Sequence, residues 1–181
     1  MKKLLLFVLL VLSVPAVCAE KLKDYYVSRQ TELGLLFFIK PYEVPSQQKG
    51  VKPAQFDITM LSTGDSLNLN WSLLYPSVLN IDSITINYVT DGKNASYSID
   101  PIETFFIDAE KRNFHHRYGT KLPYLLLKDL CLAQTPYVFV VHTQGEAIKY
   151  GFSAKDWPKH RTRMGRLLML IDTNRRQSIL H

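Results

Sequence analysis

The chain has 181 residues, with 22 Lys and Arg against 16 Asp and Glu and a formal net charge of +6. Its two cysteines exclude a disulfide-rich scaffold, and its eight thinly spread glycines form no phosphate-binding loop. The length suits one domain whose core is large enough to fold without disulfide bonds.

Residues 1–19 carry the features of a secretory signal peptide. Two lysines precede an apolar run over 4–14, Pro15 ends the run, and small residues follow. This order predicts cleavage after Ala19, leaving residues 20–181 as a single strand-rich domain that is secreted or periplasmic. The run is too short for a membrane-spanning helix, so we expect no transmembrane span after processing.

The two cysteines also bear on how the chain is processed and where it is located. A lipoprotein signal has a small residue directly before the modified cysteine, whereas Val17 precedes Cys18, so a lipid anchor on Cys18 is the less favoured alternative. Removal of Cys18 would leave Cys131 alone and the processed chain without an intramolecular disulfide. Cys131 lies among leucines, which predicts a buried and unreactive thiol.

Strands are predicted through most of the chain after a lead-in over 20–32, which could be a short helix or irregular. Residues 66–73 and 83–90 alternate apolar with polar side chains, which is typical of strands buried on one face. Three prolines within 41–55 predict a long exposed loop. Hairpin turns are predicted at 91–94 and 144–145. Shorter apolar runs predict further strands over 33–40, 95–99, 104–108, 136–143 and 146–153.

Two segments are predicted to be helical. The first, 122–133, is rich in strong helix formers. The second, 158–172, carries one apolar stripe at i, i+3, i+4 and i+7, although 166–171 could instead form a closing strand. We therefore expect an α+β or mainly β fold: an antiparallel sheet or β-sandwich with one mid-chain helix and a C-terminal amphipathic helix.

Positive charge is concentrated near the C-terminus. Residues 20–154 hold 13 Lys and Arg against 14 Asp and Glu, whereas 155–181 hold seven against two. This distribution argues against a nucleic-acid-binding protein and indicates one cationic patch, on the basic helix and tail from about residue 155. Four cations of that helix form the candidate site for an anion or a partner: Lys159, Arg161, Arg163 and Arg166.

Evidence for catalysis is weaker. Four carboxylates within 100–110 could supply a small periplasmic hydrolase, but their spacing alone does not bring two of them together. His115 and His116 are adjacent, so in a strand they would face opposite sides and could not share a metal. We therefore expect no catalytic residue, no bound metal and no cofactor.

The sequence favours a non-catalytic binding or interaction protein of the bacterial cell envelope. An envelope protein or an anionic surface polymer is the expected partner, because both could present negative charge to the basic helix. A small hydrolase and a structural or secretion accessory protein are the alternatives.

Overall fold

The computed structural model describes residues 21–179, with side chains described as far as residue 175. The predicted signal segment and Cys18 lie outside the described residues. A short 3-10 helix, Leu22–Asp24, begins the described chain. The strands are β1 Tyr26–Thr31, β2 Gly34–Val44, β3 Ala54–Leu61, β4 Ser66–Tyr75, β5 Ser83–Thr90, β6 Lys93–Ile99, β7 Glu103–Glu110, β8 Asn113–Pro123, β9 Val138–Thr143 and β10 Glu146–Tyr150. The α-helices are α1 Tyr124–Leu132 and α2 Trp157–Ile179.

The strands form two antiparallel sheets. The larger has the order β1-β2-β3-β4-β8-β7 and the smaller the order β10-β9-β5-β6. Their inner faces meet at Phe139 of β9, whose ring centroid lies 5.0 Å from that of Phe56 on β3 and 5.4 Å from that of Trp71 on β4. Packing of this kind is that of a β-sandwich, so the predicted fold class is confirmed.

Both predicted hairpin turns are confirmed. Asp91 and Gly92 join β5 to β6 with φ angles of 49° and 71°, and Gln144 and Gly145 join β9 to β10 with φ angles of 43° and 86°. Two successive positive φ angles are the signature of the type I′ turn, whose twist matches that of the paired strands.

The two helices pack together beside the sandwich. The predicted apolar stripe of α2 is buried, and the segment 166–171 is helical rather than a closing strand. Tyr124 at the start of α1 donates its hydroxyl hydrogen to Asp172 of α2 at 2.7 Å, and Lys128 binds the same carboxylate at 2.8 Å. Among the described residues, no helix is long and apolar enough to cross a membrane.

Three segments differ from the prediction. Within the lead-in over 20–32, residues 22–24 form a short 3-10 helix, one of the two predicted alternatives, but residues 26–31 become β1 because they pair with β2, a tertiary contact that local sequence does not encode. Strand β2 extends into the predicted loop 41–55, and β3, which was not predicted, begins at Ala54, so that only 45–53 remain outside regular strands. Strand β8 was not predicted, because its inward positions include His116 and Thr120 and so lack an apolar alternation.

Candidate functional site

Helix α2 brings three of the four predicted cations together. Lys159, Arg163 and Arg166 follow one another at i, i+4 and i+7, which places them on one side of the helix. All three line one pocket of about 340 Å³, whose other wall includes Leu22 and Tyr25 from the N-terminal segment. We call this site the cationic groove.

Tyr25 fixes the geometry of the cationic groove. The guanidinium carbon of Arg163 lies 4.1 Å from the centroid of the Tyr25 ring, a cation–π contact that attracts the two side chains. The ring in turn is held beside the sandwich by the backbone, since the N–H of Lys40 donates to the carbonyl of Tyr25 at 2.9 Å. Tyr25 could not be recognised as a site residue from the sequence, because it lies more than 130 positions from its partner Arg163.

Arg161 lies apart from the other three cations. Its Nε donates to the carbonyl of Leu132 at 3.1 Å, and its Nη1 donates to Oε1 of Gln134 at 3.0 Å. The carbonyl of Leu132 is at the C-terminal end of α1, where backbone oxygens have no partner within the helix. Arg161 therefore joins the two helices and does not line the cationic groove.

A second pocket of about 410 Å³ shares Tyr25 and Arg163 with the cationic groove and is lined in part by His160. The imidazole is 5% exposed and stacks on Phe152 with the ring centroids 4.1 Å apart. Its Nε2 has no hydrogen-bond partner among the described residues. Burial, followed by the nearby charge of Arg163, lowers the pKa of His160 to about 4, so the ring is neutral at pH 7.

The outer face of the larger sheet carries a polar cluster centred on Asp57. Asp57 is only 1% exposed although it points away from the sandwich core. Its carboxylate accepts hydrogen bonds from Arg117 and, at 2.8 Å, from Nδ2 of Asn70. Arg117 also donates to Oγ of Ser72 at 3.0 Å. These bonds hold the amide of Asn70 with its oxygen free to face the neighbouring strand.

A pocket of about 490 Å³ lies beside this cluster. A bulge in β7 occurs between Thr104 and Phe106 and re-aims Phe105, whose ring crosses Gly119 of β8. A Cβ on Gly119 would lie only 2.7 Å from Cζ of Phe105 and 2.8 Å from Oδ1 of Asn70, so this approach requires glycine. We call the site the amide dish, defined by Asn68, Asn70, Glu103, Phe105 and Lys121.

The predicted carboxylates of 100–110 lie on or beside the edge strand β7 and are all exposed. Glu103 lines the amide dish and Glu110 lines a different pocket next to His115. The separation of these two glutamates is seven residues of strand, or about 23 Å. The structure therefore does not bring them to a common centre.

The remaining candidates are buried or separated. His115 and His116 lie on opposite faces of β8, as strand alternation requires, with His116 buried against the hydroxyl of Tyr118 at 3.0 Å. Cys131 is fully buried, and burial raises the pKa of its thiol to about 12. Among the described residues, no three His, Cys, Asp or Glu side chains come together as a metal site.

Comparison with models of protein families, with curated proteins and with solved structures finds no match to this chain. The geometry of the cationic groove and of the amide dish is therefore the basis for any functional assignment.

Proposed function

We propose that the chain is a non-catalytic binding protein that recognises an anionic partner through the cationic groove. The observation that carries this proposal is the convergence of Lys159, Arg163 and Arg166 on one pocket. Three positive side chains within two turns of helix create a local positive potential, which attracts anions and raises their rate of association.

The roles of the three cations follow from their surroundings. Arg163 packs on Tyr25 and so maintains the shape of the groove as well as contributing charge. Lys159 and Arg166 are exposed at its rim, where their long side chains can reach a phosphate, sulfate or carboxylate group. Leu22 and Tyr25 add an apolar wall that an anion attached to a larger polymer or protein would cover.

We further propose that the protein acts in the cell envelope. Support for this location is the signal-like pattern of residues 1–19. An anionic surface polymer is the favoured partner there, because a repeating anion presents several negative groups to the cations at once.

Substitution of the two rim cations tests the proposal. We expect the double variant Lys159→Gln/Arg166→Gln to bind linear inorganic polyphosphate about tenfold more weakly than the wild type, because charge-assisted contacts are lost. The matched control is Lys93→Gln/Arg112→Gln, which removes the same charge from exposed sites on β6 and after β7. Calorimetric titration of each folded protein gives the affinities. Equal weakening by both pairs would assign binding to net charge and would refute the groove.

The hydrolase alternative has less support. Three of its four carboxylates lie on the exposed edge strand β7, and Glu103 and Glu110 line two different pockets, whereas a general acid and base act together in one pocket.

A further inference from the structure

The outer face of the larger sheet contains a second site, which the cationic groove does not explain. Asn70, Gly119 and Glu103 are cross-strand neighbours on β4, β8 and β7, and Asn68 is paired with Lys121 in the adjacent row. Two amides, one carboxylate and one ammonium group thus surround the ring of Phe105. We propose that the amide dish binds a neutral sugar ring stacked on Phe105.

Phe105 has the geometry of a stacking platform. Its Cζ and Cε2 atoms lie directly over the backbone of Gly119, yet the residue is 48% exposed, so the ring is supported from below and part of its surface is open to a ligand. The face of an aromatic ring carries negative electrostatic potential. The C–H groups on one side of a pyranose ring carry slight positive charge and form an apolar face that fits such a surface.

Asn70 is oriented before any ligand arrives. Its Nδ2 is held by the buried carboxylate of Asp57, and its Oδ1 lies above Gly119 close to the ring of Phe105, where it can accept a hydrogen bond from a hydroxyl group. Ion pairing between Arg117 and Asp57 fixes this carboxylate in turn. A polar group held by its own hydrogen-bonded support loses little conformational entropy on binding.

The charge of the amide dish favours a neutral ligand. Glu103 and Lys121 lie at its rim and offset one another, so the site has no excess charge to attract a phosphate. Hydroxyl groups both donate and accept hydrogen bonds, and the amides, the carboxylate and the ammonium group provide partners for both roles. A pocket that is open to solvent also suits one ring within a longer chain. The ligand class is therefore a neutral oligosaccharide or polysaccharide.

Native affinity electrophoresis tests the assignment with four neutral polymers: hydroxyethyl cellulose, arabinoxylan, galactomannan and dextran. We expect at least one to retard the wild-type protein, and we expect Phe105→Ala to remove that retardation. Phe38→Ala is the matched control, because Phe38 is an exposed phenylalanine of β2 that does not line the amide dish. Asn68→Ala should weaken retardation several-fold, in keeping with loss of one hydrogen bond.

Three results would overturn the proposal: no retardation of the wild type by any of the four polymers, equal retardation of the wild type and Phe105→Ala, or equal loss in Phe105→Ala and Phe38→Ala. Circular dichroism of each variant verifies its fold, which exposed substitutions should preserve. The test is independent of the cationic groove, since Lys159→Gln/Arg166→Gln should be retarded like the wild type.

Discussion

The cationic groove and the amide dish are built in opposite ways. The groove lies near β2 and takes its cations from one helix, whereas the dish lies at the β7 end of the same sheet and combines side chains from three strands. In the groove the charged groups are the contact surface. In the dish a partly buried ion pair, Arg117 with Asp57, lies behind the contact surface and positions a neutral amide.

This difference separates two kinds of recognition. Exposed cations act over a distance and are screened by salt, so the groove should attract many anions with modest discrimination. Fixed amides and an aromatic ring act only on contact, so the dish should discriminate by shape and should be insensitive to salt. Substitution of residues that hold each site in place tests this comparison.

The largest effect is expected from Arg117→Ala. Loss of the guanidinium leaves the Asp57 carboxylate, 2% exposed, without its ionic partner, which should lower the free energy of unfolding by about 3–5 kcal/mol. The matched variant is Arg161→Ala, since Arg161 also makes two side-chain hydrogen bonds but in an exposed setting, where the expected loss is below about 1 kcal/mol. Urea denaturation compares them. Similar losses of unfolding free energy in the two variants would show that the buried Asp57 carboxylate does not need Arg117 as its ionic partner.

The second largest effect is expected from His160, which lines the pocket beside the cationic groove. The pKa of His160 is lowered from 6.5 to about 4 by burial, so the unfolded chain binds its proton first as the pH falls. The contribution of neutral His160 to stability is fully present above pH 6.5. The free energy of unfolding should decrease by about 3 kcal/mol as the pH falls from 6.5 to 4. His160→Phe removes this titration while keeping a ring against Phe152.

The measurement is the difference in unfolding free energy between wild type and His160→Phe as a function of pH, which cancels the other titrating groups. A difference that stays constant between pH 6.5 and 4 would contradict the burial of a neutral His160.

The smallest effects come from two glycines. Gly119→Ala would place a Cβ against Phe105 and Asn70 and should destabilise the fold by about 1–3 kcal/mol while displacing the platform of the amide dish. Gly165→Ala on α2 meets only Leu132 at 3.5 Å, an ordinary contact, and should stabilise by up to about 1 kcal/mol. Thermal unfolding of the two variants measures whether each substitution lowers or raises the stability. A neutral Gly119→Ala would show that Phe105 can move aside without cost.

Sequence patterns predicted those parts of the molecule that depend on local periodicity. Alternation predicted β4 and β5, and the helical stripe predicted the buried face of α2. Strand β3 also alternates apolar with polar residues from Ala54 to Met60, so this strand could have been recognised despite the prolines that precede it.

The amide dish could not be predicted in the same way. It depends on the register that sets Asn70 opposite Gly119, and on a bulge that re-aims Phe105. Both are relations between strands distant in sequence. The sequence does contain a row of alternating polar residues on β4, but such rows usually face solvent. No local sequence pattern indicates that the Asp57 side chain is buried next to this row.

The most direct test of the central claim is the salt dependence of polyphosphate binding. We expect the affinity of the wild type and of Lys93→Gln/Arg112→Gln to fall steeply and in parallel as sodium chloride is raised, because exposed cations are screened. Lys159→Gln/Arg166→Gln should bind weakly and show a clearly shallower slope. The same slope and affinity in all three proteins would contradict recognition by the cationic groove.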